Sequence, residues 1–498
     1  MKAKAIEITE WRPIMDEKTD VKNMNGKDLP LGAALLMLAF LIGSIMLGVI
    51  HWGLDPQIPL VFSAIFCTVV AIINGSKWTD LENSIMGALG KVNQAMLVLL
   101  VIGMMLGTWL HSGVVPTMIY YGSKLISPKI FLPTACLLCS IASLATGDSW
   151  GTAGTVGIAI MGIGIGFGVP APIVAGAVVS GSYFGDKMSP LSDTTLLAAA
   201  VNDVDVFDHI KYMLYNTIPA LGISVIAYLF IGLKYSNNVN VEQLDEMLTA
   251  LKNTVNINPI LLIAPAFVII MIIKKVDPLP ALMGGTLIGS AFAMIFQKAT
   301  LREVFEVMHY GMELDSGNEM VDELISGGGL DYVMWTVSLV YCAMAVGGIL
   351  EGSGCLHAIV KRIMRRVKTT GGLIAATIVT STFLNFTAAD QYLAIIFPSN
   401  MYAPEYDRMG LQRKVLSRSC EDAGTITSAL IPWNTCGAFL MGALGVSPFV
   451  YAPFAIFNWL DPVIGIIYGY ADFKIAKVDD VKGGEPEPEQ DEDEAEVI

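Results

Sequence analysis

The sequence predicts an all-α membrane protein that crosses the bilayer many times. Hydrophobic residues make up 54% of the 498 residues and charged residues only 15%, whereas about 25% of the residues of a soluble domain are charged. Apolar runs of 18 or more residues recur along the chain, and runs of this length are typical of membrane helices. Two internal repeats, described below, complete the predicted fold class.

Eight uninterrupted apolar runs predict membrane helices, four in each half of the chain. They lie near 30–51, 57–74, 94–112, 213–233, 257–274, 279–297, 332–350 and 448–468. Two longer regions, 130–200 and 371–440, are also apolar but are interrupted by clusters of polar residues. These interruptions carry most of the functional information.

Short segments with shared polar residues recur at a separation of 241 or 242 residues. Asp148 and Asp390 occupy equivalent places in one pair. The paired segments are TGDSW (146–150) with AADQY (388–392), SPLSDT (189–194) with IPWNTC (431–436), and LGTWLHSG (106–113) with GGILEGSG (347–354). Three matches in the same order indicate two homologous halves.

The basic loops indicate that the two halves face opposite sides of the membrane. The second half has five Lys and Arg residues within 361–368 and four within 408–418, of which the last is Arg418. The matching parts of the first half contain only Lys124 and Lys129. Because short cytoplasmic loops carry an excess of Lys and Arg, both basic loops are predicted to be cytoplasmic. The halves then form an inverted repeat, which is common in secondary transporters.

The apolar stretch 371–400 joins the two basic loops, which predicts a re-entrant hairpin. One crossing would place the loops on opposite sides, and two full crossings need about 40 residues. The tip is predicted at 385–390, and the repeat predicts a second hairpin over 130–168 with its tip at TGDSW. The regions 172–200 and 415–440 are then membrane helices broken at SPLSD and IPWNT, as is tolerated where irregular backbone lines a cavity.

Each repeat is therefore predicted to contain five membrane helices, one of them broken, and a re-entrant hairpin, with both termini cytoplasmic. Residues 479–498 hold ten acidic residues and one lysine, a net charge of −9 out of −15 for the chain. This tail is predicted to be disordered, and nucleic acid is not expected as a partner. The predicted divisions are a cytoplasmic segment (1–28), the first repeat (29–235), an extracytoplasmic linker (236–256), the second repeat (257–470) and the acidic tail (471–498).

Polar side chains inside the interrupted regions are the candidate functional residues. A charge at the bilayer centre costs about 2.5–3.5 kcal/mol on insertion scales, so it is a functional candidate by default. Carboxylate, hydroxyl and amide oxygens are the ligands that a small alkali cation requires. The candidate cation- or proton-binding residues are Asp148, Asp193, Asp390, Thr146, Ser149, Ser189, Ser192, Asn434 and Thr435. Possible accessory residues are Asp186, Lys187, Glu421 and Asp422.

Structural roles are the alternatives at these positions. The aspartates at the tips and breaks could be N-caps, because Asp is favoured there. Asp186 and Lys187 could form a neutral internal pair. Glu421 and Asp422 could balance the charge of Arg418 at the membrane surface.

Four segments of the chain resemble the NhaC family of sodium/proton antiporters. The similarity runs from about residue 30 to residue 470, and the motifs FGDKMSPLSDTT and LIPWNTCG within it are highly specific. The four segments are GSYFGDKMSPLSDTTLLA (181–198), TGDSWGTAGTVG (146–157), AADQYLAIIFP (388–398) and SRSCEDAGTITSALIPWNTCGAF (417–439).

The resemblance implies that the chain exchanges Na+ for H+ across a prokaryotic cytoplasmic membrane, without a further cofactor and as a homodimer. Na+ is then expected at Asp148, Ser192 and Asp193. The resemblance also implies a scaffold domain and a moving transport domain that holds the hairpins and broken helices. One departure from the family pattern is Leu196, where members often have Asn.

Relatives of this family also exchange organic acids or carry amino acids, so Na+-coupled transport of such a substrate is the alternative function. Lys187 is the one cation that the sequence suggests in the broken regions, and the absence of an arginine there favours the first function. An enzyme is not expected, since the sequence shows neither an HExxH nor a GxSxG motif.

The simplest exchange mechanism lets a proton and Na+ compete for one carboxylate that faces each side in turn. Asp148 is the first choice, because its hairpin tip is expected to face the break at 189–193. Asp193 is the second choice, and Asp390 would serve a mirrored site or stabilise the fold.

Overall fold

The computed structural model describes residues 29–236, 241–274, 276–314, 321–322, 325–364 and 367–478. Within these ranges the chain is helical, and extended pairing is confined to two isolated β-bridges. The predicted all-α class is therefore confirmed. The predictions for residues 1–28, 237–240, 365–366 and 479–498 lie outside the described residues.

The helices of the first half follow the predicted runs. The largest shift is in the third helix, for which the sequence predicts 94–112 but which begins at Trp78. The helices are α1 (Leu31–Ile45), α2 (Gln57–Ile73), α3 (Trp78–His111), α4 (Val114–Leu125), α5 (Phe131–Thr146), α6 (Ser149–Gly166), α7 (Ala171–Met188), α8 (Asp193–Val201) and α9 (Val206–Ser236).

The second half begins with a helix inside the predicted linker 236–256. It continues with α11 (Ile263–Ile273) and α12 (Pro278–Phe296), which match predicted runs. The linker helix is α10 (Val241–Thr254), and the later helices are α13 (Leu301–Tyr310), α14 (Leu330–Gly352), α15 (Cys355–Met364), α16 (Thr370–Thr387), α17 (Gln391–Arg408), α18 (Arg413–Gly424), α19 (Thr435–Leu444) and α20 (Ile456–Tyr470).

Two parts of the second half depart from the predicted runs. A capping box begins α13, in which Thr300 and Glu303 satisfy each other's backbone N–H groups. The sequence predicts the last span over 448–468, but α20 begins at Ile456. The preceding residues Pro448–Phe454 form short turns that bend by 90° from α19.

Seven helices in the described part of the chain are long and apolar enough to cross a membrane, and up to nine if each of two bent pairs counts as one span. The chain is therefore a multi-pass membrane protein. The arms of the second predicted hairpin are longer than expected, since α16 and α17 have 18 residues each. Such helices rise about 27 Å, so the length argument for re-entry does not apply, and re-entry stays a prediction.

The backbone repeats the two-half pattern. Each half contains a short helix, a helical hairpin, a helix broken in two and a final helix, in that order. Four left-handed residues recur at separations of 241 or 242 residues: Gly113 (φ 84°) with Gly354 (φ 75°), Gly147 (φ 72°) with Ala389 (φ 58°), Gly168 (φ 71°) with Gly410 (φ 67°), and Asp203 (φ 54°) with Gly445 (φ 71°).

The described chain divides into two compact units. The smaller unit holds the described residues up to Ala88 together with Ala345–Arg362. In it α1 packs on α2 through stacked rings of Phe40 and Phe66, whose centroids are 3.9 Å apart. The larger unit holds both hairpins and both broken helices, and therefore all the candidate residues.

Candidate cation-binding site

The tip of the first hairpin lies against the break of the first broken helix. The hairpin turns at Gly147, whose left-handed conformation ends α5. A Cβ atom on Gly147 would lie 2.7 Å from the carbonyl carbon of Leu191 and 2.8 Å from the backbone nitrogen of Ser192. Only glycine fits this approach, and the tip meets the break as the sequence predicts.

The second hairpin meets the second break in the equivalent way. The backbone N–H of Thr435 donates to the carbonyl oxygen of Ala389 at 3.0 Å. The indole N–H of Trp433 donates to the carbonyl oxygen of Phe386 at 2.8 Å. Two direct hydrogen bonds therefore tie this tip to its break.

Four of the candidate residues are N-caps, one at each interruption. Asp148 accepts from the backbone N–H of Trp150 at 2.9 Å, and Asp390 accepts from that of Leu393 at 2.8 Å. The alternative N-cap role of both aspartates is confirmed. The other two caps are Ser192, which accepts from Thr195, and Asn434, which accepts from Cys436. Asp193 is the first residue of α8 and not its N-cap, but its Oδ1 accepts from the backbone N–H of Thr194 at 2.8 Å, so it does contact the start of the helix as a capping side chain would.

Two carboxylate oxygens at the tip and the first break have no hydrogen-bond partner among the described residues. Ser149 donates to Oδ2 of Asp186 at 2.6 Å and so joins α7 to the hairpin tip. Oδ1 of Asp186 and Oδ2 of Asp148 are buried and accept no hydrogen bond within the described residues. Ser192 also lies close to the Asp186 carboxylate. Two carboxylates and two hydroxyls thus face one another at the tip.

The other candidates of the first half are less closely involved. Thr146 accepts from the backbone N–H of Asp148 at 3.3 Å, and Ser189 accepts from that of Leu191 at 3.2 Å, so both hydroxyls support the backbone. Asp193 is exposed, and Tyr392 of the second hairpin donates to it at 2.6 Å.

Leu196, the departure from the family pattern, is 38% exposed. Its side chain lies outside the buried site, and its apolar character therefore removes no ligand from that site.

The side chains at the second break are uncharged, and they form hydrogen bonds with one another and with the nearby backbone. The amide of Asn385 donates to Gly424 and Thr427 at 2.7 and 3.0 Å. Asn434 donates to the backbone and side-chain oxygens of Asn385, while its own oxygen accepts from Thr435 and Cys436. With no spare buried oxygen on Asn434, this break resembles a structural joint more than a cation site.

A buried charge network lies beside the first site. Lys187 donates to Asp422 at 2.6 Å and also to Asp461, and all three side chains are fully buried. Asn216 donates to the other oxygen of Asp461 at 3.0 Å. Arg418 is fully buried too, with Nε 3.5 Å from Asp422. Sequence reasoning missed Asp461 and Asn216.

This network corrects three expectations. Lys187 pairs with Asp422 and Asp461, so the expected internal pair with Asp186 is wrong; neighbouring helix residues point about 100° apart. Glu421 and Asp422 are 0% exposed, so a surface role for them is wrong. Arg418 belongs to α18 and is buried, so the prediction that it lies in a cytoplasmic loop is wrong. The expected absence of an arginine from the broken regions is wrong for the same reason.

The polar side-chain atoms at the first break are oxygens, which are the ligands that a hard cation prefers. In the described part of the chain no three His, Cys, Asp or Glu side chains group as they would around a bound metal ion. The carboxylate and hydroxyl oxygens at the tip suit Na+ better than a transition metal, which prefers nitrogen or sulfur ligands.

Comparison with known proteins identifies relatives over nearly the whole chain. The chain is 36% identical to the Na+/H+ antiporter NhaC of Alkalihalophilus pseudofirmus, over 91% of this chain and 98% of that protein. It is 35% identical to the malate-2H+/Na+-lactate antiporter of Bacillus subtilis, over 88% of this chain and 93% of that protein. It is 34% identical to the arginine/ornithine antiporter ArcD of Halobacterium salinarum, over 93% and 96%.

The similarity extends to a family description. The model of the Na+/H+ antiporter family matches residues 181–473, which include the end of α7, the first break, α8, the second hairpin and the second broken helix. Together with relatives that align over nine-tenths of the chain, this match identifies the family. The chain belongs to the Na+/H+ antiporter family.

Proposed function

We propose that this protein exchanges Na+ for H+ across a prokaryotic cytoplasmic membrane by alternating access. Na+ binds between the first hairpin tip and the first break, with Asp148, Asp186, Ser149 and Ser192 as its ligands. A proton on either carboxylate excludes Na+, because a neutral carboxyl group offers the cation no charge. Asp193 remains a predicted ligand, but the buried position of Asp186 favours Asp186 as the second carboxylate.

One observation carries this proposal. Asp148 and Asp186 each keep a buried oxygen that accepts no hydrogen bond within the described residues. Leaving such an atom unsatisfied costs about 1–3 kcal/mol, and more when the group is charged. A Na+ ion or a proton at these oxygens removes that cost, so the site is built to be occupied by one of the two.

Flux measurements test the function directly. Purified protein in liposomes is given an inward Na+ gradient, and the pH inside is followed with a trapped dye. Na+ entry is expected to drive proton exit without any added organic compound. If protons move only when malate, lactate or an amino acid is present, the proposed function is wrong.

Transport of an organic anion is the second candidate, because Arg418 favours it. None of the three nitrogens of its buried guanidinium donates a hydrogen bond within the described residues. Such a group can hold a carboxylate through two parallel hydrogen bonds. Acceleration of Na+ flux by malate or lactate, lost on Arg418→Lys, would support this candidate.

We also propose that the two halves are inverted and both hairpins re-entrant. Cysteines placed at Lys368 and Arg408 are expected to react with an impermeant maleimide from the cytoplasm, and those at Leu125 and Pro170 from outside. The unsubstituted protein is the control, since six of its seven cysteines are buried. Reaction of positions 368 and 408 from opposite faces would mean that α16 and α17 do not form a re-entrant hairpin.

The hydroxyl of Ser192 gives a graded prediction. Ser192→Ala removes one ligand oxygen worth about 1 kcal/mol, so we expect the apparent KM for Na+ to rise about fivefold. Ser447→Ala is the matched control, because Ser447 also caps a helix but lies outside the site. Equal KM values in the two variants would limit Ser192 to its capping role.

A further inference from the structure

A second buried carboxylate, Glu421, lies outside the proposed Na+ site and has only neutral partners. Its Oε1 accepts hydrogen bonds from Thr194 at 3.1 Å and from Thr425 at 2.8 Å. Its Oε2 is buried and accepts no hydrogen bond within the described residues. Glu421 is 0% exposed, and its side chain forms no ion pair with the cations that the structure describes.

The buried charges around Glu421 do not cancel. Two buried cations, Lys187 and Arg418, face three buried carboxylates, Glu421, Asp422 and Asp461. If all five are charged, the sum is +2 − 3 = −1. Both cations are directed at the two aspartates, so the uncompensated charge falls on Glu421. A buried unpaired charge costs several kcal/mol, and one proton removes that cost.

The helices packed around α18 supply no further partner for Glu421. The titratable and charged groups that they and the adjoining α7 direct toward α18 are Lys187 on α7, His209 and Tyr212 on α9, Tyr402, Tyr406 and Asp407 on α17, and Asp461 on α20. The single titratable residue of α8, Asp193, is exposed, and α16 contributes none. On α18 itself the groups are Arg413, Lys414, Arg418, Cys420 and Asp422, of which Arg413 pairs with Asp407 and Lys414 lies over the ring of Tyr212. His209 is committed to Ser417 at 2.9 Å.

Hydroxyl groups connect Glu421 to the proposed Na+ site. Thr194 lies 3.1 Å from Ser192 and 3.1 Å from Glu421. An ionised Glu421 accepts a strong, charge-assisted hydrogen bond from Thr194. The hydrogen bond between the two hydroxyls is then donated by Ser192 and accepted by Thr194, which leaves a lone pair of Ser192 free for Na+. When Glu421 is protonated, the hydrogen bond that it accepts from Thr194 is weaker, and the bond between the two hydroxyls can reverse. Thr194 then donates to Ser192 and occupies the lone pair that Na+ would use.

We propose that Glu421 carries a transported proton at a site separate from the carboxylates that hold Na+, and that Thr194 and Ser192 couple the two sites. This inference rests on the proposed exchange of Na+ for H+. Glu421 takes its proton from water on one side and releases it to water on the other, and only an O–H bond is made and broken. Na+ binding favours the ionised form and thereby expels the proton.

Replacing Glu421 by glutamine tests the proton site. In Glu421→Gln the amide oxygen still accepts from Thr194 and Thr425, but no proton can be carried. At saturating Na+ we expect exchange of radioactive Na+ for unlabelled Na+ to stay within about twofold of wild type, while fewer protons move per Na+. The apparent KM for Na+ is expected to rise, because the neutral amide resembles the protonated carboxyl group. An unchanged proton-to-Na+ ratio would overturn the proposal. Loss of Na+/Na+ exchange in folded protein would also overturn it, since Glu421 would then belong to the Na+ site.

Replacing Thr194 tests the connection and does not depend on Glu421→Gln folding well. Thr194→Val interrupts the hydroxyl chain, so proton movement per Na+ is expected to fall, and Thr194→Ser is expected to restore it. Thr380→Val is the matched control, because Thr380 is a buried threonine whose hydroxyl bonds Tyr402 at 2.8 Å. If Thr194→Val and Thr380→Val both keep the wild-type ratio of protons to Na+, Thr194 does not connect Glu421 to the Na+ site. Absence of any Na+ movement by the wild-type protein would instead refute the proposed function.

Discussion

Replacing Asp148 by asparagine is expected to abolish Na+-driven proton release from liposomes, down to the rate of liposomes without protein. Asparagine caps a helix as well as aspartate does, so the hydrogen bond from Trp150 is kept and the fold is preserved. The substitution replaces the buried Oδ2 by an amide NH2 group, which neither binds Na+ nor takes up a proton. The measurement is the initial rate of the internal pH change after a Na+ pulse, together with the melting temperature in detergent.

Asp390→Asn is the matched control for this experiment. Asp390 caps the equivalent helix of the second hairpin, where the neighbouring break is neutral, so we expect its substitution to retain most of the exchange rate. Asp193→Asn is expected to have an intermediate effect, because the exposed Asp193 carboxylate is held by Tyr392. If all three variants exchange at the wild-type rate, no carboxylate at the tips carries the ion and the proposed Na+ site is wrong.

The sequence alone is sufficient for the parts of the fold that depend on composition and on strong local signals. Apolar runs predict the long helices, and Gly, Asp and Pro at the interruptions predict where helices end. The repeat of TGDSW in AADQY predicts that two hairpins exist, and the equivalent left-handed residues Gly147 and Ala389 agree with this match. Fold class and hairpin positions follow from such local information.

The pairing of buried charges cannot be predicted from the sequence, because it depends on which side of each helix faces which neighbour. Asp186 and Lys187 are adjacent in sequence, yet one faces the first hairpin and the other faces α18 and α20. Arg418 follows a basic loop and its charge suggests that it belongs there, although one further helical turn carries it into the interior. Asp461 carries a usable signal, as a single acid within an apolar run, but its partner lies 274 residues away.

Replacing Lys187 by methionine is expected to destabilise the protein strongly. Lys187 holds two buried carboxylates, and Asp461 has no other cation in ion-pair contact among the described residues. Removing one partner of a buried ion pair costs about 3–5 kcal/mol, because the remaining charge stays buried without compensation. We expect Lys187→Met to lower the melting temperature in detergent sharply and to reduce the yield of monodisperse protein.

The charge argument also predicts a rescue. Asp461→Asn in the Lys187→Met background removes the uncompensated carboxylate and keeps an acceptor for Asn216, so the double variant is expected to be more stable than the single one. Lys211→Met is the control, because Lys211 pairs with Asp208 at 3.8 Å on an exposed surface, and such pairs contribute about 0–1 kcal/mol. A double variant no more stable than Lys187→Met would show that packing of the lysine side chain, rather than compensation of the buried charge, holds α7 against α18 and α20.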